Sequence, residues 1–447
     1  MAFDRKGIES EIIDQYVQTD GCMPWIIGYS GGKDSTMLLQ LVWYALKKVP
    51  VEKRIRPIYV ICNNTLVENP QVLNYVESSL EQIEKAAIKQ GLPISVHQTT
   101  PALEDSFWVN LIGKGYPAPN SMFRWCTERL KIRPTTKFIL DKIDEVGEVI
   151  ILLGTRESES SNRAKTMKRH EIKGSRLRRH HSLPHAHVYT PIKKVDTNEV
   201  WTYLMAAQSP WGSKNHDLVT LYGNASSGDC PLITDISTPS CGQSRFGCWV
   251  CTVVNKDKSM EYLIENGEEW MEPLVDLRDF LHQTIDRKHP DYEKKKLDYR
   301  MNTRRNGSEG LGPYHPKWRK YILKSLLEAQ KEIDQGKSGY KLITNQELVA
   351  IQVTWHRDDI FEYSVADIYK EVFKKDFAFQ SEVSQAIIKE KEILKDACMP
   401  HEEDYKLINQ LLTLQRSKTI LMNKWGLHRD LENKLDESIE PTREYVY

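Results

Sequence analysis

Short apolar runs alternate with longer segments of helical spacing along the first third of the chain. The apolar runs are typical of buried strands and occupy positions 25–29, 55–62, 93–98 and 149–153. Helical spacing over 36–47 and 69–90 separates the first three runs, and positions 1–20 indicate an amphipathic helix before them. Because buried strands that alternate with helices form parallel sheets covered on both faces, this pattern predicts an α/β fold. Ligands of such sheets bind beyond the carboxyl ends of the strands.

The pattern changes in the rest of the chain. Positions 156–194 are loop-like and basic, and beyond about 258 long charged helical patterns predominate, with Gly and Asn breaks near 306–312. We therefore predict three parts: an α/β domain, a cysteine-rich segment and a mostly helical accessory domain, over residues 1–225, 226–257 and 258–447.

Composition narrows the class of protein. The 447 residues are 40% hydrophobic and 28% charged, as in an ordinary globular protein, and 62 basic residues balance 62 acidic ones. This balance argues against coating of nucleic acid by bulk charge and leaves local patches open. No apolar run is long enough for a membrane helix, and the first residues lack a signal-peptide pattern, so we expect a cytoplasmic protein without membrane contact. A cluster of cysteines in a reducing compartment favours metal or redox chemistry: Cys230, Cys241, Cys248 and Cys251.

A Gly-rich turn between the first strand and the next helix is the first chemical motif. Glycines let backbone N–H groups approach a phosphate, and the helix N-terminus adds a favourable dipole. Lysine and serine side chains add a cation and hydroxyl donors, so we expect a phosphate site at Ser30, Gly31, Gly32, Lys33, Asp34 and Ser35. The motif is not a Walker A loop, and the alternative is a Gly-rich turn without a ligand. Asp34 is expected either to help hold Mg²⁺ or to cap the helix.

These six residues, SGGKDS, resemble the signature of the PP-loop ATP pyrophosphatases. That resemblance implies cleavage of ATP between its α- and β-phosphates and adenylation of a substrate oxygen. Residues 154–163 resemble a further element of the phosphoadenosine-phosphosulfate reductase branch, through Gly154, Arg156, Glu159, Ser160 and Arg163. Arginines grip phosphate oxygens bidentately, so Gly154, Arg156 and Arg163 join the expected nucleotide site. We expect Lys33, Asp34 and Arg156 to act in catalysis.

The cysteine spacing predicts a metal or redox site. Cys248 and Cys251 form a C-x-x-C pair, and Cys241 lies seven positions earlier. Four thiolates suit either structural Zn²⁺ or a [4Fe–4S] cluster, and the pair alone also suits a dithiol redox site. The fourth thiolate is expected from Cys126 or Cys230. Residues 124–131 resemble the R-W-C-C segment of iron–sulfur reductases, although Thr127 stands at the second cysteine position.

Residues 62–70 (CNNTLVENP) and 244–260 (SRFGCWVCTVVNKDKSM), taken with the PP-loop, resemble the DndC family of DNA phosphorothioation sulfurtransferases. The resemblance implies ATP and Mg²⁺ as cofactors and a [4Fe–4S] cluster held by Cys126, Cys241, Cys248 and Cys251. It further implies DNA as the substrate, a cysteine desulfurase as sulfur donor, and other Dnd-type modification proteins as partners. Alternatives are a phosphosulfate reductase, a Zn-stabilised DNA-binding subunit of a restriction-modification complex, and a related protein that thiolates tRNA.

Basic residues are frequent directly after the second phosphate element. Ten basic residues and one acid lie between positions 163 and 194, together with His180, His181, His185 and His187. A charge run is usually a solvated loop, but this placement favours contact with a nucleic-acid backbone. For the histidines we expect DNA contact or a plain loop. The aromatic and basic stretch 314–320 is expected to bind DNA or partners, or to pack between helices.

Overall fold

A computed structural model of the chain shows an α/β unit and a largely helical unit. It describes residues 3–18, 23–159, 165, 167–168, 174–180, 182–225, 247–285, 299–303, 309–336, 339–358, 360, 362–377, 393–399, 402–420, 431 and 435. The first compact unit comprises Met1–Ala102 and Pro119–His282, and the second comprises Leu103–Ala118 and Gln283–Tyr447.

The strands are β1 to β8, in chain order Trp25–Gly28, Ile58–Asn63, Ile94–Thr99, Val149–Leu152, Leu177–Arg179, Ala186–Tyr189, Tyr299–Thr303 and Glu309–Tyr314. The α-helices are α1 to α13, in chain order Arg5–Val17, Lys33–Lys48, Pro70–Lys89, Trp125–Thr127, Arg133–Val146, Thr197–Ala206, Asn215–Ala225, Lys258–Glu265, Glu272–Gln283, Pro316–Gly336, Asn345–Arg357, Val365–Phe373 and Glu402–Ile420. Short 3₁₀ turns span Val51–Lys53, Leu103–Asp105, Glu157–Glu159 and Glu269–Met271, and π-helical turns span Val109–Gly113 and Glu128–Ile132.

Six strands of the first unit form one sheet in the order β3-β2-β1-β4-β6-β5. All neighbouring strands are parallel except β5, which runs antiparallel to β6. The carboxyl ends of β2, β1 and β4 therefore meet at one edge. The predicted α/β fold is confirmed, and the predicted parallel sheet is mostly parallel, with β5 as the antiparallel strand.

Both faces of this sheet are covered, as the sequence predicts. Along β1, Trp25 and Ile27 enter a large core with α1, α2, α3, α6 and α7, whereas Ile26 enters a smaller core with Ile139 of α5. Trp25, Ile26 and Ile27 are all fully buried. Complete burial of such a side chain stabilises the fold by about 1.5–3 kcal/mol, so the apolar run of β1 is fixed between two layers.

One expectation is wrong in detail. Positions 156–194 are not all loop, because β5 and β6 lie there, and the predicted helical part also contains the antiparallel pair β7 and β8. These strands have only three to six residues each. Alternation over so few positions is too short to stand out from a loop in the sequence.

The second unit is mostly helical, as predicted for this part of the chain. Trp108 and Trp355 are fully buried there, and their indole N–H groups donate to the carbonyls of Leu342 and Ile112 at 2.7 and 2.9 Å. Arg319, from the aromatic and basic stretch, is only 7% exposed and pairs with Asp358 at 2.8 Å. Its guanidinium therefore stabilises the packing of this unit. No helix in the described ranges combines the length and apolar character that crossing a bilayer requires.

Candidate nucleotide and thiol site

The phosphate loop joins β1 to α2 at the carboxyl edge of the sheet. Gly31 has a φ of +71°, a left-handed conformation that glycine adopts without strain. The Ser35 hydroxyl donates to the carbonyl of Gly32 at 2.9 Å and accepts the N–H of Ser30 at 3.3 Å. The turn is thus held closed by its own last serine, and its backbone amides lie at the start of a 16-residue helix.

Two glycines of the predicted site have no room for a side chain. A Cβ on Gly31 would lie 2.6 Å from Cγ2 of Val76 in α3, and a Cβ on Gly154 would lie 2.8 Å from the backbone oxygen of Asp34. Gly154 therefore lets the loop after β4 pack directly on the phosphate loop. The structure brings these two predicted elements together.

Asp34 and Arg156 form an ion pair at the centre of this contact. Nε of Arg156 lies 2.7 Å from Oδ1 of Asp34, and Nη1 lies 3.0 Å from the Ser158 hydroxyl and 3.1 Å from that of Thr197. Arg156 is 2% exposed. Lys33 approaches the other carboxylate oxygen of Asp34 at 3.3 Å. The carboxylate expected to hold Mg²⁺ or cap the helix thus faces two cations of the protein, and the catalytic roles of these three residues remain predictions.

The Tyr222 side chain also touches the phosphate loop, and the sequence analysis did not identify it. Its hydroxyl accepts the N–H of Lys33 at 3.4 Å, and the Lys33 ammonium lies 5.2 Å from the ring centroid. Burial raises the pKa of the Tyr222 hydroxyl above its ordinary value. No local pattern marks a tyrosine that meets a loop 189 positions earlier in the chain.

The C-x-x-C turn is attached to the segment that follows β2. Glu68 and Cys248 form an isolated antiparallel bridge, and the Trp249 N–H donates to the carbonyl of Val67 at 3.0 Å. The Cys251 N–H donates to the carbonyl of Cys248 at 3.0 Å, which closes the turn. We call this C-x-x-C turn, residues 248–251, the thiol turn. Because β2 is the parallel neighbour of β1, the thiol turn and the phosphate loop lie at the same edge of the sheet.

Cys126 lies close to the same turn. The Thr252 hydroxyl, next to Cys251, donates to the carbonyl of Pro119 at 2.5 Å, in the segment that leads to Cys126. Burial raises the pKa of the Cys126 thiol, and the charge of Cys251 raises it further. Two of the predicted ligands, Cys126 and Cys251, are therefore close enough to influence each other's ionisation, and Cys248 belongs to the same turn as Cys251.

Lys131 links these thiols electrostatically. The charge of Cys248 is the largest influence that raises the pKa of the Lys131 ammonium, and Glu68, Cys126 and Cys251 add to it. Nζ of Lys131 lies 3.8 Å from Oε1 of Glu68. Burial is the main cause that raises the pKa of the Cys248 thiol to about 12.

Thr65 connects the carboxylate of Glu68 to the sulfur of Cys248. Its buried hydroxyl donates to Oε1 of Glu68 at 2.9 Å and lies 3.3 Å from Sγ of Cys248. The two segments that carry the DndC-like resemblance, 62–70 and 244–260, are thus in direct contact.

A single arginine holds the backbone that follows the thiol turn. Arg278 of α9 is 1% exposed, and its guanidinium donates to the carbonyls of Cys251 at 3.0 Å, Asn255 at 2.7 Å and Val254. Guanidinium donors in a planar fork suit such a set of carbonyls. Arg278 thereby fixes the position of Cys251.

The thiols of Cys126, Cys248 and Cys251 are chemically suited to hold a metal ion or an iron–sulfur cluster, since cysteine sulfurs are ligands of both Zn²⁺ and [4Fe–4S] clusters. Cys241, the alternative ligand Cys230, and Arg163 of the nucleotide site lie outside the described residues. Within the described residues, no three Cys, His, Asp or Glu side chains stand close enough to hold a metal ion as they are. The four-cysteine ligand set remains a prediction.

The basic segment is described only in part. Arg176 pairs with Asp14 at 3.4 Å, and burial lowers the pKa of Arg178. Three of its basic residues and two of its histidines lie outside the described residues: Arg163, Arg169, Lys173, His170 and His181. His185 and His187 each lie 3.8 Å from an oxygen of Glu148, at the amino end of β4. These histidines are therefore at the edge of the sheet opposite the phosphate loop.

The part of the chain that carries this site matches a known protein family. Residues 24–254, more than half of the chain, match the phosphoadenosine phosphosulfate reductase domain. The chain belongs to the phosphoadenosine phosphosulfate reductase domain family. The matched range of this reductase-domain protein begins just before β1 and ends just after the C-x-x-C turn, so it contains the phosphate loop as well as Cys126, Cys248 and Cys251.

One relative of this reductase-domain protein shares less than a third of its residues over the matched range. An uncharacterized protein of Methanocaldococcus jannaschii is 29% identical over 188 residues, which are 42% of this chain and 32% of that protein. The chain thus spans about a third of that relative's length.

Solved structures give weak similarities. Phosphoadenylyl-sulfate reductase from Candida auris, in a phosphate complex, has 13% identity and a TM-score of 0.28 over 46% of this chain and 87% of that chain. The U34-tRNA thiolase of Methanococcus maripaludis with its [4Fe-4S] cluster has 15% identity and a TM-score of 0.28 over 63% and 80%. The NH3-dependent NAD synthetase of Campylobacter jejuni has 13% identity and a TM-score of 0.28 over 66% and 97%. Scores this low carry no argument about activity.

Proposed function

We propose that this protein is an ATP pyrophosphatase and sulfurtransferase that puts sulfur into the DNA backbone. The contact between Glu68 and Cys248 carries the proposal, because it joins the two DndC-like segments to each other. It also places the thiol turn at the same sheet edge as the phosphate loop. A sulfur-bearing group and an activated phosphate have to meet in such a reaction, and this edge holds residues suited to both.

The proposed reaction has two steps. A DNA phosphate oxygen attacks the α-phosphorus of ATP, the α–β bond breaks, and pyrophosphate leaves with its electron pair. A sulfide sulfur then attacks the DNA phosphorus, and the bond from that phosphorus to the oxygen it now shares with AMP breaks. AMP leaves with that oxygen, which was a non-bridging oxygen of the DNA phosphate, so the strand stays intact. Adenylation is needed because an unesterified phosphate oxygen is a poor leaving group.

The residues of the phosphate loop and Arg156 have distinct roles in this reaction. Residues 30–35 hold the pyrophosphate portion, and Lys33 stabilises the charge that develops on it, with Mg²⁺ as the expected counterion. Asp34 and Arg156 hold the loop in place through their ion pair. Pre-positioned charge of this kind lowers the barrier without reorganisation during the reaction.

The thiol turn would hold the [4Fe–4S] cluster through Cys126, Cys248 and Cys251, with Cys241 as the fourth ligand. When bound, such a cluster would supply electron transfer, since a cluster with four cysteine ligands leaves no iron open to a further ligand. Arg278 keeps Cys251 in position, and Lys131 balances thiolate charge at the site. A cysteine desulfurase would provide the sulfur as a persulfide, two electrons from an external reductant would release it as sulfide, and other Dnd-type proteins would assist.

DNA is the proposed substrate because the basic segment follows the second phosphate element directly. Of its described residues, Arg176 lies directly before β5, Arg178 and Arg179 lie on β5, and Lys193 and Lys194 follow β6. A backbone reaction needs positive charge near the phosphate and no reading of base edges.

The test is an anaerobic preparation assayed for iron, sulfide and DNA-dependent release of pyrophosphate from ATP. We expect about four irons and four sulfides per chain, as a cluster with four cysteine ligands requires, and pyrophosphate release that depends on DNA. Cys248→Ser should lose the cluster absorption, whereas Cys398→Ser, at a thiol of the second unit, should keep it.

Other outcomes identify the rivals. A colourless protein with one zinc and no pyrophosphate release would favour a DNA-binding subunit of a restriction-modification complex. Release that depends on tRNA in place of DNA would favour tRNA thiolation, and reduction of a nucleotide phosphosulfate without ATP cleavage would favour a reductase.

A further inference from the structure

Tyr222 is a buried side chain that meets the phosphate loop from α7. It is 7% exposed and belongs to the large core of the first unit. Its ring packs edge-on against Trp201 with 5.0 Å between centroids. A ring fixed in this way cannot swing out of the loop without opening the core.

The hydroxyl of Tyr222 lies at the helix start where a phosphate would bind. It accepts the N–H of Lys33, the first residue of α2, at 3.4 Å. It also lies 3.2 Å from the Cβ position of Gly32. The first amides of a helix are the groups that bind phosphate at such a turn. Here one of them is already paired with a side chain.

We propose that Tyr222 is a phosphate-binding residue, whose oxygen accepts the Lys33 N–H while its own proton is donated to a phosphate oxygen of the nucleotide. This inference rests on the proposed ATP site. A tyrosine hydroxyl has one proton to donate as well as lone pairs that accept, so both bonds are compatible with one oxygen. The raised pKa of Tyr222 keeps that proton in place across the neutral range.

The Lys33 side chain supports the same arrangement. Its ammonium lies 5.2 Å from the centroid of the Tyr222 ring and 3.3 Å from Oδ2 of Asp34. Lysine and tyrosine therefore lie on the same side of the loop, where one provides charge and the other a directed hydrogen bond. A nucleoside triphosphate or free pyrophosphate is the ligand class that fits both groups.

The test compares Tyr222→Phe with wild type in calorimetric titrations with pyrophosphate, a non-hydrolysable ATP analogue and adenosine. Phenylalanine keeps the packed ring and removes only the hydroxyl. Loss of one hydrogen bond to a charged group should weaken pyrophosphate and analogue binding by about tenfold or more. Binding of adenosine, which lacks phosphates, should not change.

Tyr75→Phe is the matched control. The Tyr75 ring lies 3.7 Å from the Cβ position of Gly31, so it is an aromatic neighbour of the same loop. We expect its pyrophosphate affinity to equal that of wild type. Thermal unfolding of both variants shows that each is folded at the titration temperature.

The outcomes separate this inference from the proposed function. Equal pyrophosphate affinity in Tyr222→Phe and wild type overturns the role of Tyr222 and leaves the ATP site standing. Tighter binding in the variant also overturns it, because the hydroxyl would then compete with phosphate for the Lys33 N–H. A wild-type protein that binds neither pyrophosphate nor the analogue refutes the ATP site itself.

Discussion

Asp34 and Arg156 lie 122 positions apart in the chain and are joined by a 2.7 Å ion pair between Oδ1 and Nε. The pair ties the start of α2 to the loop after β4. Both segments follow the carboxyl ends of neighbouring parallel strands. The phosphate loop is therefore braced across the sheet edge by a buried guanidinium, independently of any nucleotide.

Asp34→Asn should destabilise the first unit markedly. The exchange keeps the shape of the side chain but leaves the Arg156 guanidinium, which is 2% exposed, without its carboxylate. Breaking a buried pair in this way costs about 3 kcal/mol. Urea unfolding measures the loss.

Glu145→Gln is the control for that measurement, because it removes an ion pair with Lys142 in which the glutamate is 56% exposed. Exposed pairs contribute about 0.5 kcal/mol or less. Similar losses in both variants would contradict the bracing role of Asp34.

Gly31→Ala should cost stability for two separable reasons. Alanine at a φ of +71° is strained by about 1–2 kcal/mol, and its Cβ would meet Val76 at 2.6 Å. Adding Val76→Ala should recover the steric part and leave the backbone part. A double-mutant cycle on the free energy of unfolding measures the coupling.

Gly91→Ala is the control that measures the cost of backbone strain without a steric clash. Gly91 has a φ of +60°, and nothing lies within 4 Å of its Cβ position. If Gly31→Ala costs no more than Gly91→Ala, the contact between α3 and the phosphate loop is not tight.

The sequence predicts the elements of the site better than their contacts. The apolar run 25–29 and the glycines after it suffice for a strand, a tight turn and a helix, because each signal is local. The bridge between Glu68 and Cys248 is not local, and only the family resemblance draws attention to both segments. Tyr222 and Arg278 escape notice because a tyrosine or arginine that serves a distant loop has no periodic signature.

The short strands β5 and β6 were missed for a different reason. Basic side chains such as Arg178 and Arg179 on β5 are typical of solvated loops, and an edge strand tolerates them because one side of it is unpaired. The ion pair of Arg156 also cannot be predicted from the sequence. The motif position of Arg156 is compatible with binding of a phosphate and with pairing to a carboxylate, and only its burial and the position of Asp34 show the ion pair.

Arg278→Ala should loosen the C-x-x-C turn. It leaves the carbonyls of Cys251, Val254 and Asn255 without their common donor. We expect faster alkylation of Cys251 in the metal-free protein and lower iron retention after reconstitution. Arg278→Lys should be intermediate, because an ammonium keeps the charge but not the fork of donors.

Lys256→Ala serves as the matched control, since Lys256 lies in the same segment with a side chain that is 72% exposed. Its alkylation rate at Cys251 should equal that of wild type. Mass spectrometry of iodoacetamide-treated samples measures both. Unchanged rates in Arg278→Ala would show that the turn holds itself.

Cys62 should make stability fall at alkaline pH. Burial, followed by the carboxylate of Glu68, raises the pKa of its thiol to about 12. The folded state therefore binds this proton more tightly than the unfolded state does. The contribution is complete below the ordinary thiol pKa of about 9 and is lost as pH rises towards about 12.

Urea unfolding of wild type and Cys62→Ala at about pH 8 and about pH 10.5 measures this contribution. The advantage of wild type should shrink by up to about 2 kcal/mol between the two values. Between about pH 7 and pH 8 the difference should stay constant. Parallel curves over the whole range would show that the thiol is not buried in the folded protein.

The division of the chain has a consequence for its biosynthesis. Leu103–Ala118 belongs to the second compact unit, although the chain returns to the first unit for more than a hundred and fifty residues afterwards. During translation this segment leaves the ribosome well before Leu342 and Trp355, the partners of Trp108 and Ile112. Domains usually fold from the N-terminus as they are made. Here the nascent first unit has to carry an unfinished apolar segment until nearly four-fifths of the chain has been synthesised, so the second unit cannot complete its packing before then.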